Sequence, residues 1–261
     1  MNASRSLLQT LGLALLLILS PGLVHAESVP ATVAYVQGEA TYTTPAGKTE
    51  KITENSQIPV GSTVTTGKDG SVGLKLVPGA TTVVGPDSKL KISSLDYSKS
   101  ATGEKKRDIL LGLTKGSIFS SLAKNDGKSD FRISTPQGVA AARGTDWSVT
   151  VSGSTVTVAV LDGNVVITLP NGSTITIPAS KVGVSTSSSP VTYIISGLTD
   201  DQKNELIKEI EDAGFQLSSQ NGPSQGDVYS DQSTPGTLNP ANITITPNPA
   251  NTSTNSVQSP N

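Results

Sequence analysis

Residues 147–177 alternate apolar and small polar side chains with a period of two. Trp147, Val149 and Val151 alternate with Ser148, Thr150 and Ser152. Val156, Val158 and Val160 alternate with Thr155, Thr157 and Ala159, and Val165, Ile167, Leu169, Ile175 and Ile177 continue the pattern. Successive side chains of a strand point to opposite faces, so each run carries one apolar face and one polar face. Gly153, Asp162-Gly163 and Asn171-Gly172 punctuate the runs. Asn-Gly between alternating apolar runs marks a two-residue hairpin. This stretch therefore predicts an antiparallel meander with one face buried.

The same grammar extends upstream. Val33, Tyr35, Ala40 and Tyr42 flank a bend at Gln37-Gly38, and turns are expected at Lys68-Asp69-Gly70 and Pro78-Gly79. Residues 100–108, SATGEKKRD, read as a charged hairpin tip in solvent. Residues 109–122 carry an apolar series, but Gly112 and Gly116 weaken a helix there. Two strands around Thr114-Lys115-Gly116 are expected instead. LKLVPGATTVVGP (74–86) and ITLPNGSTITIP (167–178) form a faint repeat, each strand, Gly turn, strand and Pro. The predicted fold is all-β: a rolled, sandwich-like or solenoid-like antiparallel domain of short strands over residues 27–187.

Residues 188–217 add a small strand-helix extension. VTYII reads as a strand. Thr199 and Gln202 form a capping box, and Leu206, Ile207, Ile210 and Ala213 make one apolar stripe. A helix is expected over Asp200–Ala213, ended by Gly214. Residues 218–261 are rich in Ser, Asn, Pro and Thr and repeat Asn-Pro-Ala-Asn, a composition that predicts a disordered tail. Two Asn-x-Ser/Thr sequons begin at Asn242 and Asn251; an unmodified tail is the simpler reading.

The first 26 residues read as a secretory signal peptide. Arg5 precedes the apolar run Leu7–Leu19, and Val24-His25-Ala26 supplies a small-residue cleavage site after Ala26. No other apolar segment approaches a membrane span. The expected location is periplasmic or extracellular, with no stable membrane insertion after cleavage.

Composition restricts the chemistry. The single histidine is His25, inside the expected signal peptide, and there is no cysteine. The remaining chain thus lacks the parts of Ser-His-Asp or Cys-His catalysis and the usual zinc and haem ligands. No Gly-rich phosphate loop leads into a helix. No cofactor and no metal site are expected. Aromatics make up only 3% of residues and the formal charge is -2, which argues against nucleic acid as a partner. A glycosidase-like carboxylate pair would have to come from residues such as Asp87, Asp96, Asp146 and Asp162, which sit mostly at turn or loop edges. Calcium at GKDGS or LDGN would need more acids than those turns supply.

TPQGVAAARGTDWSVTV (135–151) resembles the FecR domain family, whose pattern is Thr-Pro, a small or apolar stretch, Arg-Gly-Thr, an acid and a large aromatic. The matching residues are Thr135, Pro136, Val139, Arg143, Gly144, Thr145, Asp146 and Trp147, and the resemblance covers about residues 33–185. Trp147 continues a buried face and is expected to pack in the core. Gly144 permits a bend. Arg143 is expected to hold that bend by pairing with a carbonyl or carboxylate, with Asp146 and Asp162 as candidates. The alternative role for Arg143 is contact with a partner. Regulators of this family place a cytoplasmic anti-sigma segment before a membrane helix; here a signal peptide stands in that place, so direct sigma-factor binding is not expected. The resemblance implies a secreted, non-catalytic protein-interaction module of the bacterial envelope that binds an envelope or surface protein. A structural or adhesive surface protein is the alternative, and a carbohydrate-active enzyme a more distant one.

Overall fold

The computed structural model describes residues 27–124, 127–186, 189–215 and 217. The expected signal peptide (1–26) and the expected tail (218–261) lie outside the described residues. The strands are β1 (Glu27–Ser28), β2 (Ala31–Gln37), β3 (Ala40–Thr43), β4 (Thr49–Lys51), β5 (Gln57–Ile58), β6 (Thr63–Thr66), β7 (Ser71–Val77), β8 (Ala80–Val84) and β9 (Lys89–Lys99). They continue with β10 (Lys105–Leu122), β11 (Lys128–Thr135), β12 (Gly138–Ala142), β13 (Asp146–Ser152), β14 (Thr155–Asp162), β15 (Asn164–Thr168), β16 (Thr174–Pro178), β17 (Lys181–Ser185) and β18 (Tyr193–Gly197). One helix follows, α1 (Asp200–Asp212).

Hydrogen bonding divides the strands between two ladders. One runs β4-β3-β6-β9-β10-β11-β12-β15-β16. The other runs β5-β2-β7-β8-β10-β13-β14-β17-β18. Strand β10 belongs to both and makes them one mixed network. Their facing apolar sides form a single core, crossed by an edge-to-face contact of Phe131 in the first sheet with Trp147 in the second, ring centroids 5.9 Å apart. The all-β class is as expected. From β11 onward, hairpins alternate between the sheets, which is the structural content of the period-two meander.

Residues 105–122 depart from the sequence reading. They form one strand, not a loop tip followed by two strands. Lys105–Leu113 pair with β9 in the first sheet, and Gly116–Leu122 pair with β8 and β13 in the second. Gly116, at φ +87°, turns the strand from one sheet into the other without a hairpin. The corner is fastened by Ser88, whose Oγ accepts from the Ser117 amide at 2.9 Å. This U-shaped path returns the chain to the end where β10 began. There β11 starts beside β10 and runs parallel to it, the one parallel pair among the described strands. A purely antiparallel sheet was expected; the sheet change inside β10 is the reason it is not.

Helix α1 begins with the expected capping box, Thr199 Oγ1 accepting from the Gln202 amide at 3.2 Å, and Gly214 follows its end at φ +72°. It covers the outer face of the second sheet: Ile210, Ala213 and Leu217 pack with Val83 and Phe119, flanked by Tyr35, Leu161 and Leu206. Residues 118–122 are therefore buried on both sides of their strand. Strand β18 joins the same sheet through β17. No described helix is long and apolar enough to cross a membrane.

Burial of Glu209 under the helix pushes its carboxyl above the usual range, with the Glu205 charge adding to the effect. A raised acid binds its proton more tightly in the folded state, so its contribution to stability is full at acid pH and is lost as pH rises from the unfolded value through the folded one. Glu209→Gln is expected to raise the melting temperature at pH 7 and to leave it unchanged near pH 4, as read by thermal denaturation across that range.

Candidate functional site

The Arg143–Trp147 segment connects β12 to β13 and carries the chain from the first sheet to the second. Gly144 adopts φ +60°, and a Cβ there would lie 2.9 Å from Lys124 Cγ. Thr145 is fully buried; its Oγ1 lies 3.2 Å from the Arg143 carbonyl and 3.3 Å from the Asn164 carbonyl, tying this turn to the Asp162-Gly163 turn. Asp146 is also fully buried and accepts from Ser121 Oγ at 2.7 Å. Trp147 lies in the core.

Arg143 differs from its neighbours. Its side chain is exposed and forms no hydrogen bond or ion pair with the described residues. The two carboxylates considered as its partners are engaged elsewhere: Asp146 by Ser121, and Asp162 by Lys124. The bend is held by Thr145 and by glycine geometry. The turn thus buries three of its five residues and presents one guanidinium.

That guanidinium faces a cleft of about 740 Å³ at the end of the sandwich where β10 both starts and finishes. Its lining includes Lys106, Arg107, Lys124, Lys128 and Arg143, against the acids Asp108 and Asp130. Both acids are taken up by Arg132, at 2.5 Å from Asp108 and 3.4 Å from Asp130. Arg107 is buried in the floor, where Nε donates to the Pro78 carbonyl at 2.5 Å and Nη1 to Ser129 Oγ at 3.3 Å. Gly79 gives it room, since a Cβ at that position would lie 2.7 Å from Nη2. Lys106 is exposed and, like Arg143, forms no ion pair with a described residue. The cleft is a concentration of positive charge on a chain of net charge -2.

Of the remaining sequence candidates, Thr135, Pro136 and Asp87 lie apart from the cleft, whereas Asp96 is the register partner of the cleft residue Asp108 and Asp162 bonds the cleft residue Lys124. Thr135 and Pro136 stand at the opposite end of β11 and β12; Thr135 Oγ1 donates to the Gly138 carbonyl at 2.9 Å, a turn contact. Asp87 is 3.7 Å from Lys115 in a far-end turn, and Asp96 accepts from Ser94 Oγ at 2.7 Å. Asp146 and Asp162 oppose each other in register across β13 and β14, with each carboxylate already bonded. The basic residues Lys106 and Arg107 were absent from the sequence candidates. Their signal was the run GEKKRD, whose local reading as a hairpin tip hid its position in a strand.

A two-sheet β-fold with a helix on one outer face and an Arg-Gly-Thr turn at one end defines the class of this domain. Residues 62–166 match the family model described as FecR protein, so the chain carries a FecR domain that includes this turn. No curated protein matches the chain. Two crystal structures of a candidate anti-sigma factor from Parabacteroides distasonis ATCC 8503 are similar to it, each at 14% identity and a TM-score of 0.42. The similarity covers 54% of this chain and 62% of each of those chains, so the match leaves over a third of their length unspanned.

Proposed function

We propose that this chain is a secreted, non-catalytic FecR-domain protein that acts as a protein-interaction module of the bacterial envelope, periplasmic or extracellular, with a link to envelope sensing. The observation that carries this reading is Arg143. Within a motif of the FecR domain whose other central residues are buried or bent into the turn, its side chain alone is exposed and uncommitted. A side chain that does not hold its own turn is available to a partner. The signal-like N-terminus supports export, and the lack of histidine and cysteine beyond residue 26 supports a binding role over catalysis.

Crosslinking in intact cells tests this with the full chain, a form lacking residues 220–261, and Arg143→Ala. The expected result is a protein partner captured by the first two forms and lost or much reduced with Arg143→Ala, whose melting temperature stays at the wild-type value. Loss of the partner on tail removal alone would favour the adhesive reading. No partner with any form, together with polysaccharide turnover by the purified chain, would overturn the proposal.

A further inference from the structure

We infer that the basic cleft is a binding site for an acidic peptide segment, a run of Asp or Glu carboxylates on the protein partner; this rests on the interaction reading above. The positive side chains come from separate segments: Lys106 and Arg107 from the start of β10, Lys124 from just beyond its end, Lys128 from the start of β11, and Arg143 from the β12–β13 turn. Only the U-shaped path of β10 brings them to one opening. Among the described acids near this end, Asp108 and Asp130 pair with Arg132, Asp162 with Lys124 and Glu104 with Lys128, while Asp96, opposite Asp108, accepts from Ser94. Lys106 and Arg143 are left as exposed cations without a partner among the described residues.

Carboxylate is the complementary group. A guanidinium takes a carboxylate through two parallel N–H donors, and an ammonium adds a compact charge beside it. The cleft is open, and its cations are spread over four segments. That arrangement suits several carboxylates along an extended chain better than one phosphate, which is usually cradled by converging backbone amides. Complementary charge across such a surface steers association and selects partners.

The purified full chain is tested by fluorescence anisotropy with a fluorescein-labelled hexaglutamate peptide and its hexaglutamine counterpart. The variants are Lys106→Gln/Arg143→Gln and, as a control with the same loss of charge on surfaces away from the cleft, Lys51→Gln/Lys68→Gln. The expected result is binding of hexaglutamate and not hexaglutamine, weakened about tenfold or more in the cleft variant and little changed in the control. Raising the salt from about 50 mM to about 300 mM is expected to weaken it further, because exposed charges are screened. Failure of hexaglutamate to bind, or equal weakening in both variants, would overturn the assignment. So would cleft-dependent binding to phosphatidylglycerol vesicles without peptide binding, which would give the cleft to a phosphate-bearing surface. The cell crosslink separates the two readings. A partner retained by the cleft variant refutes the cleft and leaves the interaction module standing. Peptide capture with no cellular partner refutes the module and leaves the cleft's chemistry standing.

Discussion

Trp147→Ala is expected to destabilise the protein by about 3–5 kcal/mol, the cost of truncating a large buried aromatic. Trp147 has no solvent exposure and meets Phe131 edge-on across the interface between the two sheets. Truncation removes that contact and leaves a void where the sheets face each other, and close-packed cores collapse only partly around such voids. Its indole Nε1 is buried without a hydrogen-bond partner among the described residues. Trp147→Phe therefore removes an unsatisfied donor while keeping much of the aromatic volume, and is expected to cost distinctly less than the alanine form. Urea denaturation of both variants measures this. A midpoint unchanged in Trp147→Ala would show that the turn does not anchor the core.

Gly116→Ala is expected to cost about 3 kcal/mol, summing a left-handed backbone penalty of roughly 1–2 kcal/mol with the strain of overpacking. Gly116 sits at φ +87°, and a Cβ there would lie 2.1 Å from Ser88 Oγ and 2.4 Å from Ser88 Cα. The second clash is with backbone and cannot be relieved by a side-chain rotation. It falls on the corner through which β10 passes from one sheet to the other. The variant should fold with a lowered denaturation midpoint, whereas Gly103→Ala, at a turn with nothing within 4 Å, should cost less. Equal effects at the two glycines would mean that the corner is not a point of close packing.

Much of the fold was legible because strands and this helix announce themselves locally. Val149 and Val151 in one strand, and Val156, Val158 and Val160 in the next, recur every second residue, and their buried faces agree with that alternation. Thr199 and Gln202 cap the helix through contacts three residues apart. Phe119 was harder to place. Its neighbour Ile118 already faces the core, and Phe119 is buried only because α1, about 90 residues later in the chain, closes over the other side of the sheet.

The site was half legible for the same reason. The Arg-Gly-Thr turn is contiguous, so its residues could be named from the sequence. The state of Arg143 could not be, because it depends on which side chains reach Asp146 and Asp162 first. Ser121 and Lys124 do so, from the end of a strand more than twenty residues upstream. By itself the sequence determined most of the period-two strands and turns, the capped helix and the FecR-like motif, since each arises from residues within a few positions of one another. Only the tertiary structure decided that β10 crosses both sheets, that its two ends meet, and that the charges of GEKKRD and the Arg-Gly-Thr turn share one cleft. Those outcomes depend on a single glycine corner and on pairing between distant strands, which local pattern does not encode.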